Sequence, residues 1–203
     1  MKFINRKSLI ITSTICLLPI LLGLTLWYRL PDTIAIHFNI NNTPDGFASK
    51  EFAVFGIPIM MATFQIFCCI VNDMNIKKHG NNEKIERVTK WILPIITIII
   101  QAAILGYAIG LPLDIRKIVA VIVGVIFLVT GNYLPKLDYV KNYNLDTEKA
   151  RKINRFVGFG TVIMGILALI TVFLPPITTV IWLFMLIPFG VVSVVYGIKA
   201  SRK

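Results

Sequence analysis

Residues 8–28 read SLIITSTICLLPILLGLTLWY, 21 residues without a charge, and the interpretation of this run decides the class of the fold. As a helix rising 1.5 Å per residue it extends about 30 Å, the thickness of a hydrocarbon core. Lys2, Arg6 and Lys7 precede it, an arrangement that suits a signal peptide as well as a first transmembrane helix. The run exceeds the apolar stretch of about 7–15 residues typical of a signal peptide. It also contains Pro19 and ends in Trp27-Tyr28-Arg29, with no small-x-small cleavage site. A retained helix with an aromatic belt at its outer end is therefore expected.

Composition extends this expectation to the whole chain. Of 203 residues, 56% are hydrophobic and 15% charged, and the mean hydropathy is +0.77, whereas a soluble domain is about a quarter charged. Five further apolar runs occupy residues 52–71, 91–109, 118–134, 157–174 and 180–198. The fourth is rich in Val and Ile, which in water would suggest a strand. In lipid only helices and closed barrels satisfy the backbone, and these runs are too long and too continuously apolar for barrel strands. The sequence predicts an all-α polytopic membrane protein with six transmembrane helices.

The net charge of +11 could suggest nucleic acid, but its distribution follows the bilayer. Seventeen of the 21 Lys and Arg lie in the N-terminal tail, residues 72–90, residues 135–156 and the C-terminal tail; Arg29, Lys50, Arg116 and Lys117 lie in the alternate segments. That asymmetry predicts both termini on the cytoplasmic side, N-in and C-in, with the lipid bilayer as partner and no nucleic acid. Cys16, Cys68 and Cys69 sit within apolar runs, so neither a disulfide nor a thiolate metal site is expected. No Asp, Glu, Lys, Arg or His falls inside the six runs so drawn, which argues against a pump or an ion-coupled transporter. Gln65, Gln101 and Asn132 are expected to hydrogen-bond between helices. Residues 136–155 also read as a helix continuing into the fifth run, with Asn144 or Asp146 as its cap and Glu148 and Lys152 as an i,i+4 pair.

Between the first two runs lies the longest polar excursion toward the far side, LPDTIAIHFNINNTPDGFASK at residues 30–50. His37, Asp32 and Asp45 are residue types that could bind a metal or carry acid/base chemistry, yet their spacing fits no zinc signature, and His79 lies on the opposite side. No catalytic residue, metal or cofactor is assigned, and a loop-based metal-dependent hydrolase remains an alternative. Pro44-Asp45-Gly46 is turn chemistry, with Phe38 and Phe47 placed to pack on the bilayer surface. A turn needs little beyond those three residues. His37, Asn39 and Lys50 are thus expected to be dispensable for folding and available to an external ligand.

Leu30-Pro31, His37-Phe38-Asn39, Pro44-Asp45-Gly46-Phe47 and Ser49-Lys50 resemble the segment that follows the first helix in the bacterial membrane family called domain of unknown function 1648. Asn42-Thr43 stand where that pattern has a Gly before Pro-Asp-Gly. Farther on, Gly131-Asn132-Tyr133-Leu134-Pro135-Lys136 and Asn154-Arg155-Phe156-Val157-Gly158 resemble the C-terminal half of the SdpI toxin-immunity family. The Gly-Ile-Arg-Thr-Pro-Trp stretch of that family has no counterpart in residues 137–153.

The resemblance implies two parts: a helix pair at residues 1–71 with an external loop at 29–52, and a four-helix membrane part at 72–203. It also implies a multi-pass protein of the bacterial cell membrane that confers immunity to a membrane-active toxin or bacteriocin. Pro31, His37, Phe38, Asn39, Pro44, Asp45, Gly46 and Lys50 would form the recognition surface. The C-terminal motif would comprise Gly131, Asn132, Tyr133, Pro135, Lys136, Asn154, Arg155 and Gly158. The basic segment 136–155 would dock a soluble transcriptional regulator, or simply adhere to anionic lipid. A small peptide or lipid transporter without an immunity role is the other alternative.

Overall fold

Every apolar run forms a helix, as a backbone shielded from water must. The computed structural model describes residues 5–79, 83–136 and 147–202; Asn144 and Asp146, expected to cap the fifth helix, fall outside them with the rest of the connecting segment 137–146. The elements are α1 (Arg6–Leu26), a 3₁₀ turn, the strands β1 (Thr33–Phe38) and β2 (Pro44–Ser49), and a π-helical turn (Phe52–Gly56). They continue with α2 (Ile57–His79), α3 (Glu83–Ala108), α4 (Ile115–Tyr133), α5 (Thr147–Thr171) and α6 (Ile177–Arg202). Among the described residues six helices are long and apolar enough to cross a membrane. Asn5 caps α1 by accepting from the Ser8 N–H at 3.1 Å, and Asp114 accepts from the Lys117 N–H at 3.0 Å where α4 begins.

Two expectations are corrected. The helices outrun the apolar stretches: α2 continues to His79, and α3 starts at Glu83. Asp73 and Lys90, which the sequence places outside the spans, therefore lie within membrane-length helices. α5 begins at Thr147, as the helix expected to lead into the fifth run, and the expected pair Glu148–Lys152 closes at 2.8 Å across one helical turn. The segment at 30–50, expected as a loop, is a two-stranded antiparallel hairpin.

Contacts divide the chain into two compact units, Met1–Ile118 and Val119–Lys203. The first takes in α3 and the start of α4 as well as the 1–71 helix pair, because α1, α2 and α3 all pack on one another. At its hairpin end Leu30, Ile34, Ala53, Val54, Ile104 and Leu105 form a dry cluster.

In the second unit α4 and α5 cross at glycines. A Cβ on Gly131 would lie 2.7 Å from the Gly158 carbonyl oxygen, and one on Gly158 would lie 2.7 Å from the Gly131 carbonyl oxygen. The two backbones thus touch directly, the close approach that small residues permit between helices in lipid. α6 joins through Trp182, whose indole N–H donates to the Met164 carbonyl at 2.9 Å.

The entry to α2 shows how a buried polar backbone group is satisfied in the first unit. In the π-helical turn the Ile57 N–H donates to the Phe52 carbonyl. In that register the next donor, at position 58, would serve the Ala53 carbonyl, but Pro58 has no N–H. The Gln101 side chain of α3 supplies the missing donor, its Nε2 lying 2.6 Å from the Ala53 oxygen. The expected interhelical bond of Gln101 is therefore a repair of a backbone defect.

Gln101→Leu should lower stability by about 1–2 kcal/mol, since it orphans a buried carbonyl. In a Pro58→Ala background the restored N–H should reduce that loss, as read by unfolding the detergent-solubilised protein in a double-mutant cycle. Equal losses in both backgrounds would refute the repair.

Candidate functional site

The hairpin gathers the loop residues singled out in the sequence and sorts them by role. Its turn runs through Asn39–Thr43 rather than Pro44-Asp45-Gly46, a correction with a local cause. The Asn39 side-chain oxygen accepts from the Asn41 N–H at 2.9 Å and the Thr43 N–H at 3.1 Å, and the Asn39 N–H closes onto the Thr43 carbonyl at 3.0 Å. This Asx geometry folds the chain back before Pro44. Asn42 adopts φ +61°, the left-handed region open chiefly to Gly and Asn, so Asn can stand where the resembling pattern has Gly. Its amide then spans outward, donating to the Leu113 carbonyl at 3.0 Å and accepting from the Ile115 N–H at 2.8 Å. The hairpin tip is thereby tied to the α3–α4 connection. Phe38 adds an edge-to-face contact with Tyr107 of α3, centroids 4.8 Å apart.

Pro44-Asp45-Gly46 opens β2 instead. A proline is tolerated there because it is the first residue of the strand. His37 pairs with Gly46, and the register slips on both sides of His37, leaving Ile36 and Asp45 as extra residues. Gly46 is required because a Cβ there would meet the His37 Cβ at 2.8 Å. Asp45 meets the imidazole: His37 Nδ1 and Asp45 Oδ1 are 2.5 Å apart, with side chains 72% and 44% exposed.

Asp32 does not join them. It pairs with Lys50 at 3.3 Å at the base of the hairpin, where Lys50 is only 13% exposed and its ammonium lies 5.3 Å from the Trp27 ring centroid. Pro31 is exposed beside this base. Asn39 and Lys50, expected to be dispensable, are thus structural, while His37 and Asp45 are the polar pair turned to solvent. Among the described residues no three His, Cys, Asp or Glu side chains come together.

The C-terminal motif serves packing to a large degree. Gly131 and Gly158 form the α4–α5 crossing, and Pro135 rests on Gly158. Tyr133 lies under the Lys136 ammonium at 4.9 Å. Asn132 and Arg155 are exposed, and Asn154 is half-buried. The interhelical bond expected of Asn132 is therefore not its evident role.

At the end of the first unit away from the hairpin lies a polar cluster that sequence reasoning missed. Lys90 of α3 and Asp73 of α2 form a buried ion pair, 1% and 4% exposed. Asp73 also accepts from the Asn5 N–H at 3.1 Å, tying in the start of α1. About two turns back along α2 from Asp73, Gln65 Nε2 lies within bonding distance of Thr12 Oγ1 at 2.9 Å, the Lys90 carbonyl at 2.8 Å and Cys69 Sγ at 3.2 Å. Residues 65, 69 and 73 repeat at helical spacing on α2, a polar stripe that was legible once the helix was allowed to continue past residue 71.

Lys90→Met would leave the Asp73 carboxylate buried without its cation, and a loss of about 3–5 kcal/mol is expected. Removing both charges, as Asp73→Leu with Lys90→Met, should cost less than that single change. Thermal unfolding in detergent checks both variants, and simply additive losses would show that the two groups are not coupled.

A family model described as Domain of unknown function (DUF1648) matches residues 14–62. No curated protein and no solved structure matches the chain. The resemblance of residues 131–136 and 154–158 to the SdpI family has no counterpart in these comparisons. The matched stretch comprises most of α1, the hairpin and the entry to α2, so what this chain shares with the domain of unknown function is the hairpin and the two helix ends that hold it.

Proposed function

We propose that the hairpin is the recognition head of a multi-pass membrane protein and that its ligand is a membrane-active peptide or protein toxin, against which the chain confers immunity. The observation that carries this reading is the exposed His37–Asp45 pair on a hairpin fastened at its tip, flank and base. Two short side chains held at 2.5 Å on a rigid support present a donor and an acceptor with little conformational freedom left to lose on binding. Exposed Ile40 and Phe47 offer apolar area on the same hairpin, a combination suited to an amphipathic peptide. The resemblance of residues 131–136 and 154–158 to the SdpI immunity family supports the choice of toxin. A soluble regulator docked on the cytoplasmic side, and placement in the bacterial plasma membrane, follow from the same resemblance.

A transporter for a small peptide or lipid is the second reading, and the buried Asp73–Lys90 pair favours it. Charges within membrane-length helices commonly mark substrate or ion pathways, and Asp73 and Lys90 place two of them there.

In a toxin-sensitive host, the parent chain should protect against membrane-active peptides of related bacteria. His37→Ala or Asp45→Ala should lose protection at equal membrane abundance, because an anchor contributing about 2 kcal/mol changes affinity roughly thirtyfold. Asn39→Ala and Lys50→Ala should instead lower the amount of folded protein. Full protection by both His37 and Asp45 variants, or none by the parent, would remove the recognition role.

The orientation belongs to the same proposal: hairpin outside, termini inside, from the division of 17 basic residues against four. With Cys16, Cys68 and Cys69 replaced by serine, an impermeant thiol reagent applied to intact cells should label Thr43→Cys and spare Lys199→Cys. The reverse pattern would invert the protein.

A further inference from the structure

We propose that the end of the second unit where α4 finishes, α5 starts and α6 finishes is a binding site for the headgroup of an anionic phospholipid. It goes beyond the recognition head and uses none of its residues. Three contacts bring these ends together. Pro135 packs on Gly158, Phe156 stacks on Tyr196 with centroids 4.2 Å apart, and a Cβ on Gly197 would lie 3.9 Å from Ile153 Cγ2. Around them stand Lys136 at the end of α4, Arg151, Lys152 and Arg155 in the first turns of α5, and Lys199 near the end of α6, all exposed.

Among the described residues the acidic side chain here is Glu148, which bridges Lys152. The excess of positive charge is therefore local as well as global. Tyr133, beneath the Lys136 ammonium, and the Phe156–Tyr196 stack put aromatic rings one turn inward from the cations. Rings of this kind settle at headgroup level, and long basic side chains reach outward from the hydrocarbon toward phosphate. A headgroup phosphate at that depth meets cations from three helices while its chains lie along the apolar surface of α6, where Val191, Val192, Val194 and Val195 are exposed. A soluble acidic partner would gain nothing from that apolar continuation, which is why lipid is the occupant.

The test uses the full chain purified in a neutral detergent. Native mass spectrometry with added phosphatidylglycerol should show discrete lipid adducts at lower lipid concentration than with phosphatidylcholine. Lys136→Gln, Arg155→Gln and Lys199→Gln combined should weaken the phosphatidylglycerol adducts at least roughly tenfold, since each basic residue near an anionic surface contributes about fivefold. Arg87→Gln, in the first unit, should leave them unchanged. If the triple variant fails to fold, Lys199→Gln alone should still weaken binding severalfold. In a separate arm, Tyr196→Trp with Trp27, Trp91 and Trp182 replaced by phenylalanine should be quenched more by brominated phosphatidylglycerol than by brominated phosphatidylcholine. Equal binding of the two lipids by the parent, or undiminished adducts in the folded variants, would overturn the proposal.

Discussion

Removing water from around the helices of the first unit makes an unpartnered backbone group or charge costly, and much of the architecture follows from that constraint. An unsatisfied group in such an interior costs about 1–3 kcal/mol. Pro58 creates one such group at the Ala53 carbonyl and Gln101 answers it from another helix. Gln65 does the same for Thr12 and the Lys90 carbonyl, joining α1, α2 and α3 at one level. Asp73 and Lys90 satisfy each other at the end of this series, with the Asn5 N–H as a further donor to the carboxylate. Three helices with little hydrophobic reason to associate in lipid are thereby given specific hydrogen-bonded contacts.

The hairpin is built on the other end of that unit, and its precision depends on the helices beneath. A two-stranded hairpin alone is marginally stable in water. Here Ile34 and Leu30 are sunk into the apolar cluster formed by the helix ends, and Asn42 and Phe38 fix the tip and flank. Residues that look like a surplus of polar groups in the sequence are mostly fasteners: Asn39 closes the turn, and Lys50 joins Asp32 and Trp27 at the base. What the support leaves over is a small exposed donor and acceptor pair.

The second unit uses a different device. α4 and α5 approach through glycine backbones, so their association rests on shape rather than on buried side-chain charge. Gly131 and Gly158 belong to the stretches whose likeness to the immunity family was noted in the sequence, and their packing role explains why such residues stand there whatever the protein does. Fold and function are distinct inferences at these positions.

The sequence by itself determined the membrane class and the six helices, because long uncharged runs admit no other backbone solution in lipid. It also located the polar hairpin segment. Helix ends were beyond its reach, since Asp73 and Lys90 are polar letters that a hydropathy pattern assigns to a loop; only their mutual burial makes them interior. The turn was misplaced for a related reason. Pro44-Asp45-Gly46 has turn chemistry, but Asn39 captured two backbone N–H groups first, and the resulting register put Asp45 against His37. Which polar residues hold the hairpin and which face outward was decided by partners as distant in sequence as Leu113 and Ile115, because hydrogen bonding in an interior is settled by three-dimensional proximity and not by local spacing.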